Sequence, residues 1–250
     1  MMTKRLVTAT LAALILATVP GAALAQEVTT TERTQQQPDV EQAGRWVEAV
    51  KERALEAIDK RLDTIDDLEG AIERSDTVHP GHAGQLAGDL RSSAAGLESL
   101  AAKIERTDDL ATLRTLVPKI FEDYRIYAVV APKVHLVLTA DAAGAVAELL
   151  EGATSTLGTA LDRLAEHGID VGDAESLLAE MERLVASGGE AADAVPDMVL
   201  GLTPADYPGS SETLRAAHSE LRDAGDDLRM AGQNAHEIVR FIVSVIGTDA

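Results

Sequence analysis

Apolar residues recur every three or four positions along most of this chain, a pattern that predicts amphipathic α-helices and no β-strands. The first helix is predicted from about Val40 to Arg74, the second from about His82 to Arg106, and the last from Ser211 onward. The last helix has the most regular pattern, with apolar positions at Leu214, Ala217, Leu221, Ala224, Leu228, Ala231, Ala235, Ile238, Ile242 and Val245. Such narrow stripes are typical of helices that pack against other helices, as in coiled coils, so the predicted fold class is all-α.

A third helical segment, from Asp108 to about Glu166, contains no strong turn signal but includes Pro118 and Pro132. Proline lacks a backbone N–H and crowds the preceding turn, so each proline should kink or stop the helix. A glycine at position 168 is a typical helix end, so the segment should finish there.

A fourth helix is predicted from about Asp173, and its second half should be weakened by Gly188, Gly189 and Pro196. The clearest loop of the chain follows over residues 202–210, where two X-Pro pairs and a glycine interrupt the apolar pattern. The helices are of unequal length, which favours two three-helix bundles that share a kinked central helix. The alternative is a single elongated bundle of four or five helices.

The N-terminus has the pattern of a cleaved export signal over residues 1–25. Lys4 and Arg5 precede a mostly apolar stretch, and Ala23-Leu24-Ala25 fits the small residues of a cleavage site. Residues 26–38 are rich in Thr and Gln and predict a flexible linker, followed by an N-terminal bundle at 39–131 and a continuous C-terminal bundle at 132–250. We therefore expect a protein secreted to the extracellular space or cell envelope, without stable membrane insertion after cleavage.

The charge of the chain restricts its partners. It has 42 acidic against 22 basic residues and a formal net charge of −20, which repels nucleic acid and anionic lipid surfaces. Basic proteins, cell-wall polycations or divalent cations remain possible partners, and the alternative is that the negative charge only keeps the protein soluble. The polar side of the first helix, which we expect to face solvent, carries Glu52, Glu56, Lys60 and Arg61.

The stretch from Pro118 to Asp141 is the most unusual in composition, because aromatic and β-branched residues concentrate there between the two prolines. One hypothesis is that a kink opens a groove lined by polar and aromatic side chains. The alternative is that the rings fill the bundle centre while Asp123 and Arg125 satisfy each other or a neighbouring helix. The candidate ligand- or partner-contacting residues are Phe121, Tyr124, Arg125, Tyr127, Lys133 and His135.

Within this stretch, the sequence DYRIYAVVAPKVHLVLTAD, residues 123–141, resembles uncharacterised secreted all-helical proteins of high-GC Gram-positive bacteria. The resemblance covers about twenty residues and implies an exported helical protein, with no implied activity.

No residue pattern predicts catalysis, a metal site or a cofactor. His79 and His82 are three apart, but they lie across a Pro-Gly turn, and a zinc site would need further ligands. Nucleophile, phosphate-loop and dinucleotide motifs are absent from the sequence. The predicted function is a structural or interaction protein of the cell envelope or extracellular space. The alternative is an extracytoplasmic carrier or sensor that holds a small apolar ligand between helices near residues 118–135.

Overall fold

Helices form every regular element of residues 40–246, the part of the chain that the computed structural model describes. The predicted all-α class is therefore confirmed, while the predicted signal peptide and linker lie outside the described residues. A π-helical turn, Ile126–Val130, and a 3₁₀ turn, Pro204–Asp206, interrupt the series. The α-helices are α1 Val40–Arg74, α2 Pro80–Arg106, α3 Leu110–Leu116, α4 Lys119–Glu122, α5 Ala131–Glu166, α6 Gly172–Val199 and α7 Ser210–Ile246.

Local capping residues explain where several helices begin and end. His79 caps α2, because its imidazole accepts a hydrogen bond from the Gly81 amide, and Pro80 occupies the first turn. Asp109 caps α3 by accepting hydrogen bonds from two backbone amides of the first turn. Gly168 follows α5 with a φ of 78°, the left-handed conformation that glycine adopts without strain.

The predicted third segment, from Asp108 to about Glu166, is divided into α3, α4, the π turn and α5 and is not one kinked helix. Pro118 separates α3 from α4, and the chain leaves the helix at residues 123–125, where Arg125 takes a left-handed φ of 43°. The Arg125 carbonyl then accepts hydrogen bonds from three successive amides of the π turn. Pro132 lies in the first turn of α5 and does not stop it, because the wider π turn directly before it accommodates the missing donor.

The apolar side chains form two buried clusters, which α5 joins. The first cluster contains the inner faces of α1 and α2, together with α3, α4, the π turn and the start of α5. The end of α6 and the start of α7 also contribute, through Val195, Val199, Leu214, Ala217 and Leu221. The second cluster lies between α5, α6 and α7 and extends from Ala147 to Ile238. Along α5 the change from the first cluster to the second comes between residues 140 and 147.

The glycine pair in α6 brings helices together. Helix α6 is continuous through Gly188, Gly189 and Pro196, and their weakening of its second half stays a prediction. A Cβ added at Gly188 would lie 3.1 Å from the backbone oxygen of Ala224 on α7. A Cβ added at Gly189 would lie 3.4 Å from the Cβ of Ala147 on α5. Each glycine therefore allows a close approach to a different neighbouring helix.

One apolar helical stretch of the described chain, within Leu110–Glu166, is long and apolar enough by composition to cross a membrane. Of its most apolar window, 39% is buried among the other helices. Core helices of soluble proteins commonly pass the same test.

Candidate functional site

Two of the predicted aromatic residues enclose an arginine. The guanidinium carbon of Arg61 lies 4.5 Å from the ring centroid of Phe121 and 5.1 Å from that of Tyr127. The Tyr127 hydroxyl donates a hydrogen bond of 3.1 Å to the Lys60 carbonyl. Arg61 is 8% exposed, so its predicted place on the solvent face is wrong, and this burial lowers the pKa of its guanidinium. The two rings thus attach the segment around the π turn to α1.

Tyr124 and Lys133 line one small cavity of about 280 Å³. The buried Lys133 ammonium donates to Asp89 Oδ2 at 2.6 Å and to the Leu202 carbonyl at 2.9 Å. Burial raises the pKa of the Tyr124 phenol, and the negative charge of the neighbouring Asp123 adds to the effect. The Tyr124 ring lies where a side chain at position 96 would be, because a Cβ on Gly96 would come within 2.5 Å of it.

Arg125 interacts with an aromatic ring, and of the two pairings considered for it the one with Asp123 does not form. Its guanidinium carbon lies 4.2 Å from the centroid of Tyr207, and no ion pair between Arg125 and Asp123 forms in the described chain. The Arg125 Nε is buried, and no hydrogen-bond partner for it is found among residues 40–246. Stacking on Tyr207 attaches the loop between α6 and α7 to the left-handed turn before α5.

His79 and His82 are tied to α5 by one carboxylate. Asp141 accepts a hydrogen bond from the His79 amide at 2.9 Å, and its other oxygen lies 2.9 Å from His82 Nδ1. The Asp141 side chain is 8% exposed, so this pairing satisfies a carboxylate that is almost buried. In residues 40–246 no group of three or more His, Asp or Glu side chains is placed to hold a metal ion.

The six predicted contact residues therefore do not line one groove. Phe121 and Tyr127 contact α1, and Arg125 contacts Tyr207, while Tyr124 and Lys133 share the small cavity against α2. The rings do not fill the bundle centre either, because Phe121 and Tyr127 are 47% and 54% exposed. His135 lies apart from the other five residues.

His135 is exposed on α5 and lines a separate pocket of about 550 Å³ between residues 132–139 of α5 and residues 214–222 of α7. We call it the α5–α7 pocket. Its mostly apolar floor comes from one face of each helix, and His135, His218 and Arg222 lie around it. The lining residues are Pro132, His135, Leu136, Thr139, Leu214, His218, Leu221 and Arg222.

A cavity of about 800 Å³ lies between α5 and α6 and is acidic. We call it the acidic groove. Its floor has small side chains on both helices, at Gly144, Ala147, Ala186 and Gly189. Five exposed carboxylates surround the floor, and none of them takes part in an ion pair within the described chain: Glu148, Glu151, Glu182, Glu190 and Asp193.

Close approaches between α5 and α6 show how the acidic groove is built. A Cβ at Gly144 would lie 3.5 Å from Asp193 Oδ1, and one at Gly158 would lie 3.4 Å from Leu178. As the position on α5 rises, the facing position on α6 falls, so the two helices are antiparallel. On each helix the groove residues recur every three or four positions, which places them along one face. The sequence contained this periodicity, but the pairing of the two faces depends on the tertiary fold.

Comparison with known proteins finds no match to this chain among protein-family models, curated protein sequences or solved structures.

Proposed function

We propose that this chain is an exported, non-catalytic interaction protein that binds a basic partner in the acidic groove. The observation that carries the proposal is the set of five unpaired carboxylates along one channel between α5 and α6. Like charges held close together repel one another, and a cationic partner removes that repulsion on binding.

The shape of the acidic groove indicates the chemistry of the partner. The small side chains at Gly144, Ala147, Ala186 and Gly189 leave room above the floor. The aliphatic stems of lysine and arginine can lie on such a floor while their charged ends reach the surrounding carboxylates. A compact metal ion fits this arrangement less well, because the carboxylates are spread along the groove.

The length of the acidic groove sets the size of the segment that it can hold. On α6 the lining residues run from Glu182 to Asp193, eleven positions apart. At about 1.5 Å per residue this corresponds to roughly 17 Å. A partner segment of about three helical turns, or of five to six extended residues, would fill it.

The test is a binding titration of fluorescein-labelled hexalysine, followed by anisotropy. In the test variant Gln replaces each glutamate and Asn replaces the aspartate of the five groove carboxylates. In the matched control Gln or Asn replaces five exposed α1 carboxylates that form no ion pair in the described chain: Glu52, Asp59, Asp63, Asp66 and Asp67. Both variants lose five negative charges, so they remain equal in net charge.

We expect the groove variant to weaken hexalysine binding about tenfold more than the α1 variant, equivalent to about 1.4 kcal/mol. Equal weakening in both variants would show that only the net charge attracts the peptide, and would contradict the proposal. Far-ultraviolet circular dichroism checks that both variants remain helical.

Export is a separate part of the proposal and has its own measurement. We expect the chain expressed with residues 1–25 to be recovered outside the cytoplasm with a mature N-terminus at Gln26. Mass spectrometry of the recovered protein gives that N-terminus. Recovery of an uncleaved chain in the cytoplasm would contradict export.

A further inference from the structure

The α5–α7 pocket combines an apolar floor with polar groups that are all potential donors. Leu136, Leu214 and Leu221 are each less than 10% exposed and form the floor. Around them lie two imidazoles and one guanidinium, and no carboxylate is among the lining residues. This composition contrasts with the rest of a chain whose formal net charge is −20.

A contact within the pocket joins Arg222 to His218. Arg222 Nη2 lies 3.3 Å from His218 Nε2. A guanidinium has no acceptor, so Arg222 is the donor of this hydrogen bond. The guanidinium has five N–H groups, so others remain for a ligand.

We propose that the α5–α7 pocket binds one small amphiphilic carboxylate, such as a medium-chain fatty acid. The carboxylate accepts hydrogen bonds from Arg222 and from the imidazole N–H groups, since a guanidinium matches both oxygens of a carboxylate. The alkyl chain lies on the leucine floor and removes apolar surface from water. A cationic amphiphile would meet the guanidinium directly and is excluded by charge.

The dimensions of the pocket suit such a ligand. Its volume of about 550 Å³ falls within the range of about 300–1,000 Å³ that is typical of small-molecule sites. An apolar pocket with a few convergent polar groups is the usual form of such a site. The pocket lies between α5 and α7, whereas the acidic groove lies between α5 and α6, so neither proposal depends on the other.

The test is a titration of the whole protein with sodium decanoate, followed by the imidazole resonances in ¹H–¹³C NMR spectra. The chain has six histidines, and two of them, His135 and His218, line the pocket. We expect their resonances to shift in a saturable manner. The resonances of His167 and His236, which lie outside the pocket, should stay in place and serve as internal controls.

Substitutions at the exposed residues of the pocket separate head-group binding from chain binding. Arg222→Gln combined with His218→Gln should weaken decanoate binding at least about tenfold, because the carboxylate loses its charged partner. Arg215→Gln removes an equal charge from an exposed position of α7 outside the pocket and should leave binding unchanged. Thr139→Phe should abolish binding by filling the space above the floor.

Two outcomes would overturn the proposal. The first is decanoate binding that shifts all six histidines alike, or that survives Thr139→Phe, because the ligand would then lie elsewhere. The second is equal binding of decyltrimethylammonium, which has the same alkyl chain and a positive head, because the pocket would then not select for charge. Unchanged helical circular dichroism in each variant excludes unfolding as the cause of lost binding.

Discussion

The two apolar clusters are stabilised in different ways. Around the first cluster, side-chain hydrogen bonds join elements that are distant in sequence, such as Lys133 to Asp89 and to the Leu202 carbonyl, and Asp141 to His82. Within residues 142–199, which contribute to the second cluster, every side-chain hydrogen bond joins residues at most four positions apart. There the helices are held together by apolar contacts and by close approach at small residues.

This difference separates two ways of specifying a helical fold. Hydrogen bonds are directional. The polar contacts around the first cluster therefore define where the start of α5 and the 200–209 loop must lie. Between α5 and α6, by contrast, no side-chain hydrogen bond or ion pair of the described chain crosses from one helix to the other. The acidic groove lies on this second part, and its five carboxylates take part in no ion pair of the described chain. We therefore expect substitutions in the two parts to change stability in different ways.

The largest effect is expected from Leu228→Asp in the second cluster. Leu228 is 6% exposed, and its side chain fills the space beside Gly188. A carboxylate there has no partner, so we expect the free energy of unfolding to fall by about 4 kcal/mol. Chemical denaturation followed by circular dichroism measures this change.

The matched control for that substitution is Met230→Asp, two positions away on the same helix and 38% exposed. We expect it to change the free energy of unfolding by less than about 1 kcal/mol. If Leu228→Asp costs no more than Met230→Asp, apolar packing at α6 and α7 does not stabilise the second part.

A smaller effect is expected from Lys133→Met in the first cluster. The substitution leaves the Leu202 carbonyl without its donor, at a cost of about 2 kcal/mol. The Asp89 side chain is 45% exposed and can be solvated by water, so its loss of a partner adds little. Hydrogen exchange should show faster exchange in residues 200–209 and unchanged exchange in α6.

Lys103→Met, which removes the same charge at an exposed position of α2, serves as the control and should leave both measurements unchanged. Equal loss of protection in α6 after Lys133→Met would show that the polar contacts do not act locally, and the contrast between the two parts would fail.

The smallest effect is a pH dependence that comes from Tyr124. Burial raises the pKa of this phenol above its ordinary value of 10.0, so the folded chain holds the proton more tightly than the unfolded chain. The resulting stability is complete below pH 10 and is lost as the pH rises through the folded-state pKa. We expect Tyr124→Phe to lose less stability than the original chain above pH 10.

Ultraviolet titration of the three tyrosines measures the same property directly. The phenol with a raised pKa should be absent from Tyr124→Phe and present in Tyr127→Phe. The opposite result would place the least accessible phenol outside the cavity against α2.

The periodic parts of the fold could be predicted from sequence, because apolar spacing alone defines the buried face of a helix. The predicted limits of α1 are those observed, and the predicted apolar stripe of α7 is buried from Leu214 to Ala231. The predicted exposure of Arg61 was wrong, because a charged residue normally faces solvent and the aromatic rings that bury this one lie about sixty residues away in sequence. The acidic groove and the place of His218 in the α5–α7 pocket could not be predicted either, because each depends on which helices pack against each other.

The π turn and the residue before it explain why residues 121–127 contact several different parts of the fold. Phe121, Tyr124 and Tyr127 are spaced three apart, so a continuous helix would present them along a single side. The left-handed residue at position 125 interrupts the helix between the second and third rings, and the π turn then leads directly into α5. The segment consequently acts as a junction that sends consecutive side chains to α1, to α2 and to the 200–209 loop.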